Sequence, residues 1–279
     1  MNVIRYPGCK INLGLKVIEK RSDGFHNLET LFVLVPDIAD ILEIAESKKL
    51  SLTLYGDNLD CKSDDNLVMC AYKLLAADYE IPPVEMFLYK KIASGAGLGG
   101  GSSDAAMALI ILNNMFDLGL TKEELATYAL KLGSDSPFFV YTQFDANAKN
   151  IASGSIDGVY SGRAMLAGGR GEILTPFKIP QLEGRTIKIE LPPVHVSTAE
   201  AYKGVAPALP TVPLGQLLEQ PIEVWRNTII NDFEKHIFEK YPIIEEYKKR
   251  MYEQGAIYAS MSGSGSAVFG IFDGTPPVI

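Results

Sequence analysis

Five glycines in the seven residues Gly95-Ala96-Gly97-Leu98-Gly99-Gly100-Gly101, followed at once by Ser102, Ser103 and Asp104, are the densest concentration of chemistry-bearing backbone in this chain. Glycine serves where the backbone takes positive φ or comes close to something bulky. From Ala105 to Phe116 the pattern turns apolar nearly all round, which predicts a buried helix. A helix start points unpaired N–H groups and a positive dipole end at whatever sits there, and phosphate is the usual occupant. The competing reading is a tight turn with small residues chosen for packing. No lysine follows the last glycine as in a Walker loop, and the spacing is not that of a dinucleotide fold, so both classes lose weight.

Lys10 and Asn12 project together from the run 9–19, because Ile11, Leu13, Leu15 and Val17 alternate onto the other face of a predicted half-buried strand. Asp135 follows Gly133, the expected stop of a helix that opens on the capping box Thr121-Lys122-Glu123-Glu124. The strand-like run Phe138-Phe139-Val140 comes next. A carboxylate set between a helix C-terminus and an apolar strand is disfavoured as an anion by both burial and the dipole, so a cationic partner is expected. The alternative is an aspartate making turn hydrogen bonds. Phe25 and His26 stand at the tip of a hairpin whose turn, 21–27, contains Asp23-Gly24, and they are either ligand contacts or ordinary tip residues.

The elements that must position these residues follow the same logic. Strands are predicted over 28–35, 38–44, 50–55 and 84–91, with an amphipathic helix over 67–77 capped by Asp65 or Asn66. A strand, then the glycine loop, then a helix is the context a phosphate cradle needs. The polar stretch 142–163 reads as a long loop or insertion and a domain junction. Beyond it lie a strand over 185–191, a proline-rich crossing, helices around 222–230, 232–239 and 243–253, and strands over 256–261 and 267–272. The last two flank Ser262-Gly263-Ser264-Gly265-Ser266, a second glycine loop that either covers the first site or is a hairpin turn.

The 279 residues suffice for one large core or two modest ones, and two domains is the better expectation. A net charge of -8 and a pI near 5.0 argue against nucleic-acid and anionic-membrane partners. Phosphate must then be held by backbone dipoles and a few placed lysines. Cys9, Cys61 and Cys70 are odd in number and match no zinc spacing, so they are expected to be reduced thiols of a cytoplasmic protein, and no metal ligands are assigned. No apolar run has the length of a membrane span, and the first residues lack a signal-peptide profile.

Taken in order, Lys10-Ile11-Asn12-Leu13, Asp23-Gly24-Phe25-His26-Asn27-Leu28, the loop Gly95 to Ala106, Leu132-Gly133-Ser134-Asp135-Ser136-Pro137-Phe138-Phe139, Gly169-Arg170-Gly171-Glu172 and Met261-Ser262-Gly263-Ser264-Gly265 closely resemble the GHMP small-molecule kinases over nearly the whole chain. The resemblance implies an α+β, two-domain GHMP kinase fold, with a nucleotide-binding domain over 1–160, a substrate domain over 161–279 and the active site in the cleft between them. Asp-Gly-Phe-His-Asn-Leu and Gly-Arg-Gly-Glu narrow it to members that use ATP and Mg²⁺ to phosphorylate the 2-hydroxyl of a cytidine diphosphate methylerythritol in isoprenoid synthesis. Other small alcohols, such as homoserine or mevalonate, are the nearest alternative substrates, and a nucleotide-binding module without chemistry is the alternative of another class.

By the same resemblance Asp135 is the base and Lys10 its orienting cation. Gly95, Gly97, Leu98, Gly99, Gly100, Gly101, Ser102 and Ser103 would wrap the triphosphate, and Asn66 and Lys90 would lie near the nucleoside of ATP. Asn12 would lie near the methylerythritol, His26 would read cytosine, Phe25 would stack on it, and Thr198 and Tyr202 would complete the substrate side. Asp104 reads as a helix-start residue rather than a phosphate ligand. The chain departs from the family pattern at Phe25, where Tyr is common, at Ala93, where Pro is usual, and at Gly8-Cys9, where Pro-Ala is usual. A monomer or weak homodimer is expected.

Overall fold

The computed structural model describes residues 1–56, 63–144 and 162–274. In chain order these form β1 (Asn2–Arg5), β2 (Gly8–Lys20), β3 (His26–Ala39), β4 (Ile41–Glu46), β5 (Ser51–Gly56), α1 (Leu67–Ala76), β6 (Val84–Lys90), α2 (Gly100–Met115), α3 (Lys122–Leu132) and α4 (Ser136–Gln143). Then follow β7 (Ala164–Gly168), β8 (Ile173–Pro176), β9 (Arg185–Glu190), α5 (Thr198–Lys203), α6 (Leu214–Leu218), α7 (Ile222–Thr228), α8 (Glu234–Lys240), α9 (Pro242–Glu253), β10 (Tyr258–Met261) and β11 (Val268–Asp273). The mixture of helices and antiparallel-rich sheets is the expected α+β class. Two compact units share these elements, each drawn from several stretches of chain.

The first unit comprises the described parts of Met1–Cys9, Val35–Ser94 and Gly99–Ala152. Its sheet runs β1-β4-β6-β5, antiparallel except for the parallel pair β5 and β6. Alternation in β4 and β6 buries Leu42, Ile44, Val84, Met86 and Leu88, and α2 packs against β1 and β4. Each such side chain contributes roughly 1.5–3 kcal/mol relative to exposure. Helix α2 is buried on every side except near its ends, since α1 and α4 also pack on it. The capping box at Thr121 is present, and Asn66 rather than Asp65 caps α1, its Oδ1 accepting from Val68 N at 2.9 Å.

One expectation fails here. Phe138-Phe139-Val140 is helix, within α4, and not strand. A short apolar run cannot be assigned by periodicity alone, and Pro137, in the first turn, favours a helix start. The expected insertion over 142–163 begins inside α4, where Thr142 and Gln143 are buried. The rest of it, and the expected domain boundary after residue 160, fall on 145–161, outside the described residues.

The second unit comprises Lys10–Leu34, Gly95–Leu98 and the described part of Ser153–Ile279. Strands β2 and β3 lie in a sheet of order β2-β3-β7-β8, with Thr30 to Val33 of β3 paired antiparallel to Ala167 to Ala164 of β7. A second sheet, β10-β11-β9, is antiparallel throughout and is covered by α9. Leu15, Val17 and Leu28 share a core with Phe233, Ile237, Ile244, Met251, Met261 and Phe272. Residues from opposite ends of the sequence thus fill one interior.

Candidate active site

In the second unit, Lys10 is only 4% exposed although nothing in its side chain is suited to burial. Its ammonium donates to Asn12 Oδ1 and, at 3.1 Å, to the carbonyl of Gly97, and it lies 4.9 Å from the centroid of Phe32. Its own backbone N–H donates to Leu98 O at 2.9 Å. The strand face shared by Lys10 and Asn12 is therefore realised, and the glycine loop supplies the lysine with an acceptor. Asn12 is held in turn by Thr30 Oγ1 at 3.1 Å and by its backbone N–H to Ser262 Oγ at 3.2 Å.

Ser262 also donates to Gly97 O at 2.9 Å, and Ala267 N donates to Ala96 O at 3.1 Å. Gly97 has φ of 78°, and a Cβ there would run into the Ser262 carbonyl oxygen, so glycine is required on both counts. The second glycine loop is a hairpin turn between β10 and β11 and at the same time a wall against residues 95–98. Asn231, fully buried, donates to the carbonyls of Met261 (2.9 Å) and Gly263 (2.8 Å) and holds that turn. Nothing in its spacing marked it, because a single asparagine between apolar residues carries no pattern.

The hairpin tip is built as its sequence suggests, with Phe25 N donating to Asp23 Oδ1 at 3.0 Å and Gly24 at φ of 86°. His26 stacks on Tyr202, rings 4.6 Å apart and 17° from parallel, and Tyr202 meets Phe233 edge-on. Burial, and then the charge of Lys20, push the His26 imidazole below its ordinary value, so it is neutral near pH 7. Phe25 is 53% exposed and carries the Arg170 guanidinium 4.8 Å from its ring centroid. Thr198, at the start of α5, has Oγ1 3.4 Å from Ser264 Oγ. His195 stands where a Cβ on Gly95 would come 2.6 Å from its Cε1.

In the first unit, left-handed Gly99 (φ of 71°) opens α2 with no side-chain cap, leaving the first-turn N–H groups to an outside acceptor. A Cβ at Gly101 would lie 3.5 Å from Leu67, and one at Gly133 would lie 3.4 Å from Ser102 Oγ. The start of α1 with Asn66 and the corner between α3 and α4 with Asp135 thus both border the first turn of α2. Asp135 is the residue preceding α4, so the dipole there favours an anion, the reverse of the expectation drawn from a helix end and a strand.

The two serines differ. Ser103 is fully buried, its hydroxyl donating to Gly8 O at 2.6 Å and accepting from Gln143 Nε2 at 3.1 Å. Ser102 is partly exposed. Gly8 N–H, which a proline would lack, donates to Gln143 Oε1 at 3.1 Å, so the departure at Gly8 is matched by a local partner. Lys90 donates to Asp40 and, at 2.6 Å, to Asp104, both buried. Burial, together with the nearby Asp40 carboxylate and against the pull of Lys90, holds Asp104 well above the usual carboxylate range. Burial opposes the charge on Lys90, but Asp104 and Asp40 together raise it. Among the described residues no three His, Cys, Asp or Glu side chains converge to hold a metal ion, and no helix is long and apolar enough to cross a membrane. Cys9 and Cys70 carry thiols and no disulfide.

Residues 66–143 match the family described as GHMP kinases N terminal domain, and 214–277 match GHMP kinases C terminal. A 4-diphosphocytidyl-2-C-methyl-D-erythritol kinase of Bacteroides thetaiotaomicron is 44% identical over 99% of this chain and 94% of its own. That of Cytophaga hutchinsonii is 42% identical over 98% and 94%. A solved 4-(cytidine 5'-diphospho)-2C-methyl-D-erythritol kinase superposes with a TM-score of 0.77 at 32% identity, covering 98% of this chain and 91% of the other. A homoserine kinase of Cytophaga hutchinsonii, at 16% identity and a TM-score of 0.55 over 96% and 85%, shares the fold alone. With both halves matched and identity above 40% along nearly the whole of both chains, this chain belongs to the GHMP kinases and, within them, to the 4-diphosphocytidyl-2-C-methyl-D-erythritol kinases.

Proposed function

We propose that this chain transfers the γ-phosphoryl group of ATP to the 2-hydroxyl of 4-diphosphocytidyl-2-C-methyl-D-erythritol. The observation that carries the reading furthest is the buried ammonium of Lys10, anchored to Asn12 and to the Gly97 carbonyl of the glycine loop. Phosphoryl transfer asks a protein mainly for positioning and charge stabilisation. The first-turn N–H groups of α2 from Gly99 onward hold the triphosphate, with Ser102 the hydroxyl at hand and Ser103 committed to the interior. Asp135 accepts the proton of the acceptor hydroxyl, and Lys10 orients that hydroxyl and stabilises the charge that develops.

Mg²⁺ when bound neutralises the triphosphate. It is commonly held by phosphate oxygens and waters with few protein ligands, which suits a chain whose described residues hold no three-ligand cluster. On the acceptor side, neutral His26 offers one donor and one acceptor to the polar edge of cytosine. Phe25, braced by Arg170, offers the base an aromatic face, and Tyr202 fixes the plane of His26.

A coupled ATP-consumption assay over a panel of alcohols tests the reading. Turnover is expected with 4-diphosphocytidyl-2-C-methyl-D-erythritol and not with homoserine or mevalonate, and no turnover with the cytidine compound would sink it. Asp135→Asn should lower kcat by about 10²-fold or more with little change in either KM. His26→Ala should raise the KM for the cytidine substrate by about tenfold, the scale expected when a buried polar pairing is lost.

A further inference from the structure

Between β6 and α2 lie residues 91–99, the approach to the glycine loop and most of the loop itself. The described contacts in the first unit fasten both of its ends to one buried carboxylate system. Asp40, fully buried between β3 and β4, accepts from Lys91 N at 2.5 Å and Ile92 N at 2.8 Å with Oδ1, and from the Lys90 ammonium with Oδ2. The same ammonium reaches Asp104 Oδ2 at 2.6 Å, on the first turns of α2. Asp40 is itself tied back through its N–H to Pro7 O at 3.0 Å.

Packing repeats what the charges do. Gly100, the first residue of α2, does not have positive φ, yet a Cβ there would lie 2.8 Å from Ile92 Cγ2 and 3.3 Å from Lys90 Nζ. It is glycine because the helix start is seated directly on the end of β6. Two of the three protons of Lys90 go to buried carboxylates, and its side chain is 12% exposed.

We infer that Asp40, Lys90 and Asp104 form a clamp that sets the distance between the end of β6 and the start of α2, so that Lys90 is a positioning residue for the phosphate-binding N–H groups. The inference rests on the reading that ATP occupies the glycine loop. Phosphate-binding amides placed an ångström off lose much of their value, so the clamp governs nucleotide affinity without touching nucleotide.

The test compares Asp40→Asn, Lys90→Met and the double variant in the full chain. Each single variant should raise the KM for ATP by about tenfold while moving the acceptor KM little, and the double should match the singles, because a broken clamp cannot be broken twice. Amide hydrogen exchange of residues 93–99 should quicken in both singles, a readout that needs no nucleotide and stands even if the proposed substrate is wrong. Gly100→Ala, which leaves every charge in place, should reproduce both effects and serves if Asp40→Asn does not fold. The inference is overturned if Lys90→Met raises the KM for ATP while Asp40→Asn and Gly100→Ala leave it unchanged, if the two singles multiply in the double variant, or if exchange over 93–99 stays as in the parent.

Discussion

Asp104 carries its carboxyl into a site where burial outweighs the neighbouring ammonium, so the folded protein keeps it protonated well above its ordinary 3.8. The unfolded chain releases that proton near the ordinary value. Unfolding above it therefore releases a proton, and this group's contribution to stability is full below 3.8 and is lost as pH rises from there toward the folded value. Asp104→Asn removes the titration while keeping an oxygen for Lys90. Urea unfolding should show the variant gaining on the parent steadily as pH is raised from about 4 to 8. A stability difference that stays flat with pH would show Asp104 ionised in the fold. Alternation showed that Lys10 and Asn12 share a face, because a buried strand leaves that mark. Asp40 left none, since a lone carboxylate between Ala39 and Ile41 looks like any turn residue until its partners, fifty and more positions away, are brought to it.

Elements were legible where they carried end signals. Thr121-Lys122-Glu123-Glu124 announces α3 because both halves of the capping box are local. Helix α4 has only Pro137 and a fully buried apolar run, which fits strand and helix alike, and the error carried over to Asp135 by placing the wrong dipole end beside it. Helix α1 shows an end residue with two candidate duties. Asn66 Oδ1 caps the helix, whereas its amide N–H₂ is the part that would meet a nucleotide. Asn66→Asp separates them, because Asp and Asn cap equally well and only Asn can donate. The variant should hold its unfolding free energy within about 0.5 kcal/mol of the parent. Its KM for ATP should rise several-fold, through the lost donor and the added negative charge. An unchanged KM would leave Asn66 a cap and nothing more, while Asn66→Ala should cost about 1 kcal/mol of stability on either account.

At the scale of the whole molecule, the motifs of the second unit are scattered along the chain because its interior is too. Strand β7 takes its register from β3, Thr30 to Val33 against Ala167 to Ala164. Leu15 bridges to Asn231, and Asp232 N donates back to Leu15 O at 2.9 Å. Leu15, Val17 and Leu28 fill the same core as Phe233, Ile237 and Met261. A chain divided after residue 160 leaves the C-terminal piece with β7 and β8 but without the long strands that β7 pairs with, and with an apolar surface uncovered where those three side chains belong. Losing several fully buried aliphatic side chains at roughly 1.5–3 kcal/mol each removes more than the 5–15 kcal/mol by which domains are ordinarily stable can spare. Residues 161–279 expressed alone should therefore show no cooperative urea transition and no near-ultraviolet circular dichroism, and adding residues 1–160 should restore both. A cooperative transition in the isolated C-terminal piece would mean that β9 to β11 and α5 to α9 suffice for a core, and that β2 and β3 serve only to deliver Lys10, Asn12 and the hairpin tip to it.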